Sequence, residues 1–181
     1  TNVVALAAGG YHSLALKADG RVVAWGAGAA NTGSLPDHGQ SAVPGDLTNV
    51  AAVAAGTYHN LALKSDGSVV AWGHNNAGQT HVPGDLGNVV AVSAGLYYSL
   101  ALRADGTVVA WGDNSYGQAN IPIGLANVVK IAAGGLHDLA LESDGRPSLT
   151  VQPVSRAAVA GSTVRLQAMA VGVQPLSYQW A

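Results

Sequence analysis

Apolar and polar residues alternate along this chain in short segments. NVVAVSAG, which begins at Asn88, and SLALR, which begins at Ser99, place apolar residues at alternate positions, as a β-strand with one buried face requires. An Asp-Gly pair separates the second segment from TVVAWG, and Asp-Gly between two such runs is a strong signal for a β-hairpin. Helical periodicity is missing. The pattern therefore predicts an all-β protein built of short antiparallel strands.

These segments recur at a regular spacing. The tripeptide Ala-Trp-Gly contains Trp25, Trp72 and Trp111, which are 47 and 39 residues apart. The extra eight residues of the first copy lie between Gly26 and Leu47, where a connecting loop can absorb them. Asp-Gly pairs, separated by 47, 39 and 39 residues, occur at Asp19 and Gly20, Asp66 and Gly67, Asp105 and Gly106, and Asp144 and Gly145. The copies span approximately residues 2–47, 48–86, 87–125 and 126–146, and the fourth holds only the first half of the unit.

Each full copy predicts three clear strands, and its Gly-Gln segment is either a fourth strand or a structured connector. Four short antiparallel strands at a period near forty are typical of a propeller blade. A β-solenoid is the alternative, although its rungs are usually shorter and lack this hairpin turn. A glycine recurs at one position of the unit, where it predicts a bulge or a positive φ; the residues are Gly56, Gly95 and Gly134.

The ordered string V-x-x-x-x-A-G-x-x-H-S-L-A-L-x-x-D-G-x-V-x-A-W-G-x-N-x-x-G-Q, from about Asn2 to Gly145, resembles the regulator of chromosome condensation repeat. That family forms seven-bladed propellers in its complete form, so the resemblance implies about three and a half four-stranded blades here. The AWG, GQ and VP elements are similar to the short-loop bacterial variant, which includes the β-lactamase inhibitor propeller. No AWG follows Gly145. We therefore expect open propeller edges through which the chain could self-associate.

The composition changes at Pro147. The segment AGSTVRLQAMAVG followed by PLSYQW resembles the first three strands of an immunoglobulin-like domain, with Trp180 at the core position of the third strand. Ala168 stands where such domains often place their first disulfide cysteine. We assign residues 1–146 to the propeller repeats and residues 147–181 to the N-terminal part of an immunoglobulin-like domain, which we expect to be loosely held or docked against the last blade.

Composition and charge exclude several classes of function. The net charge is -2 and the eight basic residues are scattered singly, so we predict no nucleic-acid partner. Cysteine is absent, which removes disulfides and thiolate chemistry. Every Val/Ala stretch is interrupted before eighteen residues, so no membrane insertion is expected. The repeat type and its immunoglobulin-like companion favour an extracellular or cell-surface location, with the signal peptide outside this sequence.

The histidines raise the question of a metal site. One set occupies a single position in separate copies, with Tyr98 in the third copy, and consists of His12, His59 and His137. A structural hydrogen-bonding role is the favoured interpretation, and convergence on an axial metal is the alternative. The loop histidines His38, His74 and His81 lack partners at metal-ligand spacing, and we interpret them as solvated. No metal and no cofactor are predicted.

Other residues that could support chemistry have structural interpretations. The tryptophans end alternating strands, so packing between blades is favoured over a stacking platform for sugars or peptides. The Asp-Gly aspartates are turn formers, not paired carboxylates for acid-base catalysis. The sequence contains no G-x-S-x-G, and GAGAANTG at Gly26 lacks the features of a dinucleotide site. We therefore predict that the protein is not an enzyme.

Function is predicted to lie in the loops that follow each AWG, which differ between otherwise similar copies: Ala27 to Gln40, His74 to His81, and Asp113 to Asn120. The candidate binding residues are His74, Asn75, Asn76, Asp113, Asn114 and Tyr116, because adaptable polar groups with an aromatic suit a protein-binding surface. Neutral drift of these loops is the alternative. The sequence thus predicts a non-catalytic protein-interaction scaffold of a secreted or cell-surface bacterial protein. An enzyme inhibitor and a carbohydrate-binding adhesin module are the alternatives.

Overall fold

The computed structural model describes residues 2–143, 148–151 and 169–171. These residues form short antiparallel sheets, and among them no helix is long and apolar enough to cross a membrane. The first repeat contributes β1 (Val3–Ala8), β2 (His12–Lys17), β3 (Val22–Gly26) and a small hairpin of β4 (Asn31–Ser34) and β5 (Asp37–His38). The second and third repeats contribute β6 (Val50–Ala55), β7 (His59–Lys64), β8 (Val69–Gly73), β9 (Val89–Ala94), β10 (Tyr98–Arg103) and β11 (Val108–Gly112). The remaining strands are β12 (Val128–Ala133), β13 (Asp138–Glu142), β14 (Ser148–Val151) and β15 (Met169–Val171).

Each of the first three repeats forms one blade, an antiparallel sheet in the order inner, middle and outer strand, as in β1-β2-β3. The Asp-Gly pair turns the chain between the middle and outer strands. Gly20, Gly67 and Gly106 have φ values of 81°, 81° and 83°, which glycine adopts without steric cost. In each turn the aspartate Oδ1 accepts a backbone N–H two residues later, as Asp105 does from Thr107 at 2.9 Å. Asp144 and Gly145 lie outside the described residues.

The all-β partial propeller predicted from the sequence is confirmed, with three-stranded sheets in the described blades. The Gly-Gln segment, for which a fourth strand or a connector was open, is a connector: residues 79–83 and 118–122 form no strand. A bend at Gly78, where φ is 80°, precedes it in the second repeat. The side chain of the following glutamine then turns back to bond its own loop.

The core lies between blades, because the middle strand of each repeat packs on the inner strand of the next: β2 on β6, β7 on β9, and β10 on β12. In the first junction Leu14 and Leu16 pack with Val50 and Trp72. The equivalent leucines of the second and third repeats, Leu61, Leu63, Leu100 and Leu102, are fully buried. Apolar burial of this kind is the main stabilising contribution to a fold of stacked repeats.

Hydrogen bonds join the blades at one end of every junction, and a tryptophan also joins them at the other end of the first two. The glycine carbonyl of each Asp-Gly turn accepts the N–H of the valine that begins the next inner strand, at 3.2 Å for Gly20 and Val50. The carbonyl of Gln79 accepts the indole Nε1–H of Trp111 at 2.9 Å. Gln40 and Trp72 form the same bond at 3.1 Å. The first two junctions are therefore closed by a buried polar contact as well as by apolar packing.

Trp25 differs from the other two tryptophans of the repeat. Trp72 and Trp111 are each 8% exposed, whereas Trp25 is 50% exposed. The prediction of packing between blades therefore does not describe Trp25. The physical reason is that none of the described residues forms a blade in front of β1, so no glutamine carbonyl and no leucine pair covers this indole.

The recurrent glycines have a different role from the predicted bulge or positive φ. Gly56, Gly95 and Gly134 are not among the left-handed residues. A Cβ at Gly56 would collide with the ring of His59 and with the carbonyl oxygen of Gly95. The irregularity of the inner strand lies at its opposite end, where the β6–β7 register shifts between Val50 and Ala52. Glycine is needed here for close approach of the next blade.

The C-terminal strands β14 and β15 pair antiparallel and contact the inner strands β9 and β12. Met169 and Val171 are buried in the same apolar cluster as Leu100. This places them against the third and fourth repeats. Ala168 and Trp180, on which the immunoglobulin-like interpretation depends, lie outside the described residues, so that interpretation and the domain boundary at residue 147 remain predictions.

Candidate binding face

The two ends of the blades have different chemistry. One end, the turn face, consists of the Asp-Gly turns and carries ion pairs such as Lys64 with Asp66 at 3.4 Å. The other end, the loop face, consists of the turns between inner and middle strands and the three loops that follow each AWG. The predicted binding loops therefore share one side of the molecule. They share it with side chains that the sequence analysis did not select.

An open basin of about 270 Å³ lies at the centre of the loop face. Equivalent turns of the four repeats line it, beginning at Ala8, Ala55, Ala94 and Ala133, and each turn contributes a glycine next. Because these side chains are small or absent, backbone groups form most of the accessible surface. Most of the N–H groups of these turns are already bonded within the chain, as that of Gly10 is to the carbonyl of Gly56 and that of Leu96 to the carbonyl of Gly135. The basin therefore selects a ligand mainly by its shape.

A row of stacked tyrosines borders this basin. Tyr11 and Tyr58 are parallel with ring centroids 5.2 Å apart, and Tyr58 and Tyr97 are 6.0 Å apart at an interplanar angle of 17°. Tyr11 is 53% exposed, whereas Tyr58 between its neighbours is 7% exposed. Sequence reasoning missed this row. The signal was present, because tyrosine occupies the same position in three successive copies.

Two loop histidines pack on the tyrosine row. The rings of His38 and His74 are 4.3 Å apart, and His38 meets Tyr58 edge to face at 5.4 Å. His38 is 9% exposed, so its interpretation as solvated is wrong. The long first loop folds into the β4–β5 hairpin and carries this ring onto Tyr58. His74 is half-buried, and burial lowers its pKa, with a smaller contribution from His38; His81 is exposed, as predicted.

A glutamine braces each loop. The Oε1 atom of Gln79 accepts the N–H of Ala77 at 3.0 Å, and that of Gln118 accepts the N–H of Tyr116 at 2.9 Å. Gln40 accepts the N–H of His38 in the same way at 2.8 Å. The main-chain carbonyls of Gln40 and Gln79 also accept a hydrogen bond from the tryptophan of the next repeat. The glutamine end of these loops is therefore part of the junction, whereas the residues at the loop tip can differ between repeats.

The six predicted binding residues divide into two groups. Four hold their own loops: His74 bonds Gln79 at 2.7 Å, Asn75 accepts from Thr80, Asp113 accepts from Ser115 and Gln118, and Asn114 bonds Asn120. The Ser115 hydroxyl is the main cause that lowers the pKa of Asp113. Asn76 and Tyr116 are exposed, and Tyr116 reaches 76%. These two side chains can contact a partner without breaking a loop.

Of the repeated histidines, His12 and His59 lie in the junctions, whereas His137 in the last repeat is exposed. The Nε2 atom of His12 is 2.5 Å from Asn60 Oδ1, and that of His59 is 3.0 Å from Ser99 Oγ. Burial, assisted by the charges of His12 and His74, lowers the pKa of His59 to about 4. Tyr98 replaces histidine in the third repeat and donates its hydroxyl to the carbonyl of His137 at 2.8 Å. The described part of the chain contains no group of three or more residues able to hold a metal ion.

Comparison with known proteins accounts for this architecture. Residues 3–31, 50–79 and 89–118 match the regulator of chromosome condensation (RCC1) repeat. The chain contains RCC1 repeats. No curated protein sequence is significantly similar to it.

Several solved structures resemble the chain. Prp20p from Saccharomyces cerevisiae matches with a TM-score of 0.64 and 28% identity over 79% of this chain and 42% of that chain. Human WBSCR16 matches with a TM-score of 0.63 and 25% identity over 79% and 46%. The complex of Kap60 with yeast RCC1 (Prp20) matches at 0.61 and 25% over 96% and 50%. This chain thus spans half or less of the length of these relatives.

The last residue of each segment that matches the RCC1 repeat shows which loop residues belong to the repeat and which are additional in this chain. The second and third segments end at Gln79 and Gln118, so the bracing glutamine belongs to the RCC1 repeat. The first ends at Asn31, where the β4–β5 hairpin begins. The hairpin that places His38 on the tyrosine row is therefore an addition to the RCC1 repeat.

Proposed function

We propose that this chain is a non-catalytic protein-interaction scaffold that binds its partner through the loop face. One observation carries the proposal. The loops that differ between repeats, the tyrosine row and the glycine-lined basin all lie on the same face, whereas the junctions repeat the same contacts. A rigid frame that presents dissimilar loops on one side is the arrangement used by many binding proteins.

The surface chemistry favours a protein over a sugar. Sugars stack on free aromatic faces, but both faces of Tyr58 are covered, by Tyr11 and by Tyr97. The exposed tips offer Tyr116 and Asn76, an aromatic group and an adaptable amide, and such groups are enriched in protein-binding surfaces.

The solved relatives support a role in protein binding. Binding of Prp20p to Gsp1p and to histones has been described, and yeast RCC1 (Prp20) has been solved with Kap60 bound. Those partners belong to the longer relatives. For this chain we propose a partner met outside the cell or at its surface, in a bacterium, on the strength of the short-loop repeat and the immunoglobulin-like resemblance of residues 147–181.

Site-specific photo-cross-linking tests the proposal. A photoreactive phenylalanine derivative replaces Tyr116 on the loop face or, as the matched control, the exposed Arg21 on the turn face. We expect the variant at residue 116, but not that at residue 21, to cross-link one defined protein in cells that make the chain. The purified partner should bind the Tyr97→Ala variant at least about tenfold more weakly.

Equal cross-linking from both faces, or none from residue 116, would reject the loop face as the binding site. An enzyme is one class of partner that this face could hold, and assays with purified β-lactamases test the inhibitor alternative directly. A glycan array tests the adhesin alternative. Sugar binding that survives the replacement of Tyr116 but is lost in Tyr11→Ala would favour carbohydrate over protein.

A further inference from the structure

The second loop of the loop face is braced by a histidine that must be neutral. The buried amide of Gln79 uses both of its ends: Oε1 accepts the N–H of Ala77 at 3.0 Å, and Nε2 lies 2.7 Å from Nδ1 of His74. Because an amide nitrogen only donates, Nδ1 of His74 accepts this bond and the imidazole carries its proton on Nε2. A protonated imidazole has no acceptor. Rotation of the amide would restore this bond but would break the bond to Ala77.

The equivalent bonds of the other two loops do not need a neutral imidazole. Gln118 Nε2 donates to the carboxylate of Asp113 at 2.8 Å, and Gln40 Nε2 donates to the carbonyl of Pro36 at 2.5 Å. A carboxylate stays ionised at mildly acidic pH, and a carbonyl does not titrate. Of the three braces, only that of His74 contains a group that gains a proton as the pH falls through the mildly acidic range.

The rings around His74 make a positive charge there more costly. His38 on the β4–β5 hairpin lies 4.3 Å away, and Tyr58 and Tyr97 lie at 6.1 and 5.6 Å. His59, in the junction beneath the loop, is also affected by the charge of His74. Protonation of His74 therefore places a positive charge beside two other imidazoles, which repel it when they are protonated.

Carboxylates do not offset this charge in the described part of the chain. The ion pairs there join lysine or arginine to aspartate, and neither His38 nor His74 takes part in one. Asp37, beside His38 in the sequence, accepts the N–H of Gly28 at 2.7 Å instead. The Nε2 atom of His38 is buried and forms no hydrogen bond with the described residues. The contact between the two imidazoles is therefore most favourable when both are neutral.

We propose that the contact of the second loop and the β4–β5 hairpin with the tyrosine row is released by acid. Protonation of His74 breaks its bond to Gln79 and repels His38, so that both segments leave Tyr58 and Tyr97. Burial lowers the pKa of His74, with a smaller contribution from His38, which places the release below about pH 6.5. Release of a bound partner by acid is the expected consequence, and that consequence alone rests on the proposed function.

NMR of the chain without a partner tests the release. At about pH 7.5 the imidazole ¹⁵N shifts of His74 should show the proton on Nε2, and on acidification towards about pH 5 the N–H signal of Ala77 should move with the same midpoint as that ring. Nuclear Overhauser effects between the rings of His38 and Tyr58 should be lost in the same transition. The N–H of Tyr116, which Gln118 accepts at 2.9 Å, should not follow it.

Two variants assign the transition to His74. In His74→Asn the side-chain Oδ1 can accept from Gln79 at any pH, so the contact between His38 and Tyr58 should persist at about pH 5. His81→Asn is the matched control, because His81 is exposed in the same loop, and it should behave as the original chain. His59 is present in both variants. A transition that persists in His74→Asn, a contact kept at about pH 5 in the original chain, or a proton on Nδ1 of His74 at about pH 7.5 would each overturn the proposal.

Partner binding is measured separately. The cross-linked partner should bind at least about tenfold more weakly at about pH 5 than at about pH 7.5, and His74→Asn should remove most of this difference. A loop that opens in a chain without a cross-linked partner would reject the proposed function and keep the acid release. A partner that binds equally at both pH values while the loop opens would overturn the release of the partner by acid.

Discussion

The same repeats supply both the junctions between blades and the loop face. The residues of the junctions are similar from repeat to repeat, whereas those of the loop tips differ. At the first two junctions a tryptophan Nε1–H is held by a glutamine carbonyl and a leucine pair packs on a valine. At the loop face the three loops share a Gly-Gln pair, the second and third also share an asparagine at Asn75 and Asn114, and the other tip positions differ. The fold therefore constrains the sequence in the groups that face the next blade, and not at the loop tips.

The third junction shows how much variation a junction accepts. Tyr98 stands where His12 and His59 stand, and Asp138 stands where Asn60 and Ser99 stand. The tyrosine hydroxyl still reaches the next repeat, through the carbonyls of His137 and Gly134. Burial raises the pKa of Asp138, and the Tyr98 hydroxyl opposes this shift. The contact between blades is kept while the groups that make it change.

Truncation of a junction leucine should have the largest effect on stability. Leu100 is fully buried, and Leu100→Ala should lower the free energy of unfolding by about 2–5 kcal/mol because it removes apolar contact and leaves a cavity. Urea unfolding followed by tryptophan fluorescence measures the change. Ile123→Ala, at a fully exposed site, should stay within about 0.5 kcal/mol. Equal losses for the two variants would show that the core does not lie between the blades.

The buried junction histidine should make stability depend on pH. The pKa of His59 is about 4 in the folded chain and about 6.5 when unfolded, so the unfolded state binds more protons between these values. Stability should therefore fall by roughly 3 kcal/mol as the pH drops from about 6.5 to about 4. His59→Gln should flatten this dependence, and His81→Gln, at an exposed loop position, should preserve it. An unchanged slope in His59→Gln would contradict burial of a neutral imidazole.

Loss of the indole donor should have an intermediate effect. Trp111→Phe removes the Nε1–H bond to the Gln79 carbonyl, although Ser99 Oγ still donates to that carbonyl at 2.9 Å. We expect a loss of about 1–2 kcal/mol in the free energy of unfolding. Trp72→Phe is the matched variant, because Gln40 receives bonds from Trp72 and Asn60 in the same arrangement. Losses that differ by more than about 1 kcal/mol between them would mean that the first two junctions are not equivalent.

A loop-face substitution should have the smallest effect on stability. Tyr116 is 76% exposed, and Tyr116→Ala should change the free energy of unfolding by no more than about 0.5 kcal/mol while weakening partner binding. Thermal unfolding and a binding assay with the cross-linked partner separate the two effects. A large destabilisation would show that Tyr116 supports the packing of the blades and does not belong to the binding surface.

Much of this architecture could be predicted from sequence because repetition identifies equivalent positions. Alternating apolar residues and Asp-Gly pairs gave the strands and hairpins, and the period gave the blades. The role of Gly56 was missed because a glycine needed for clearance of a ring in the fold has the same sequence signal as one needed for a positive φ.

The loop face was predicted only in part. Which loops differ is visible in the sequence, but the stacking of Tyr11, Tyr58 and Tyr97 depends on the rotation between blades, which no single repeat encodes. The burial of His38 depends on how the β4–β5 hairpin folds back. Contacts between repeats, and between a loop and a neighbouring repeat, could therefore not be predicted from the sequence.

Exchange of two loops tests whether the loop tips contribute to the stability of the fold. Residues 75–81 and 114–120 have equal length and place their glutamine fifth, so a chain in which the two segments are interchanged keeps both bracing residues, the carbonyl contact of residue 79 to Trp111 and the His74 ring on the tyrosine row. We expect one cooperative urea transition with an unfolding free energy within about 1 kcal/mol of the original, since the tips lie outside the junctions. A loss of several kcal/mol in the free energy of unfolding, or loss of the cooperative transition, would show that the loop tips help to stabilise the blades and would contradict their separation from the junctions.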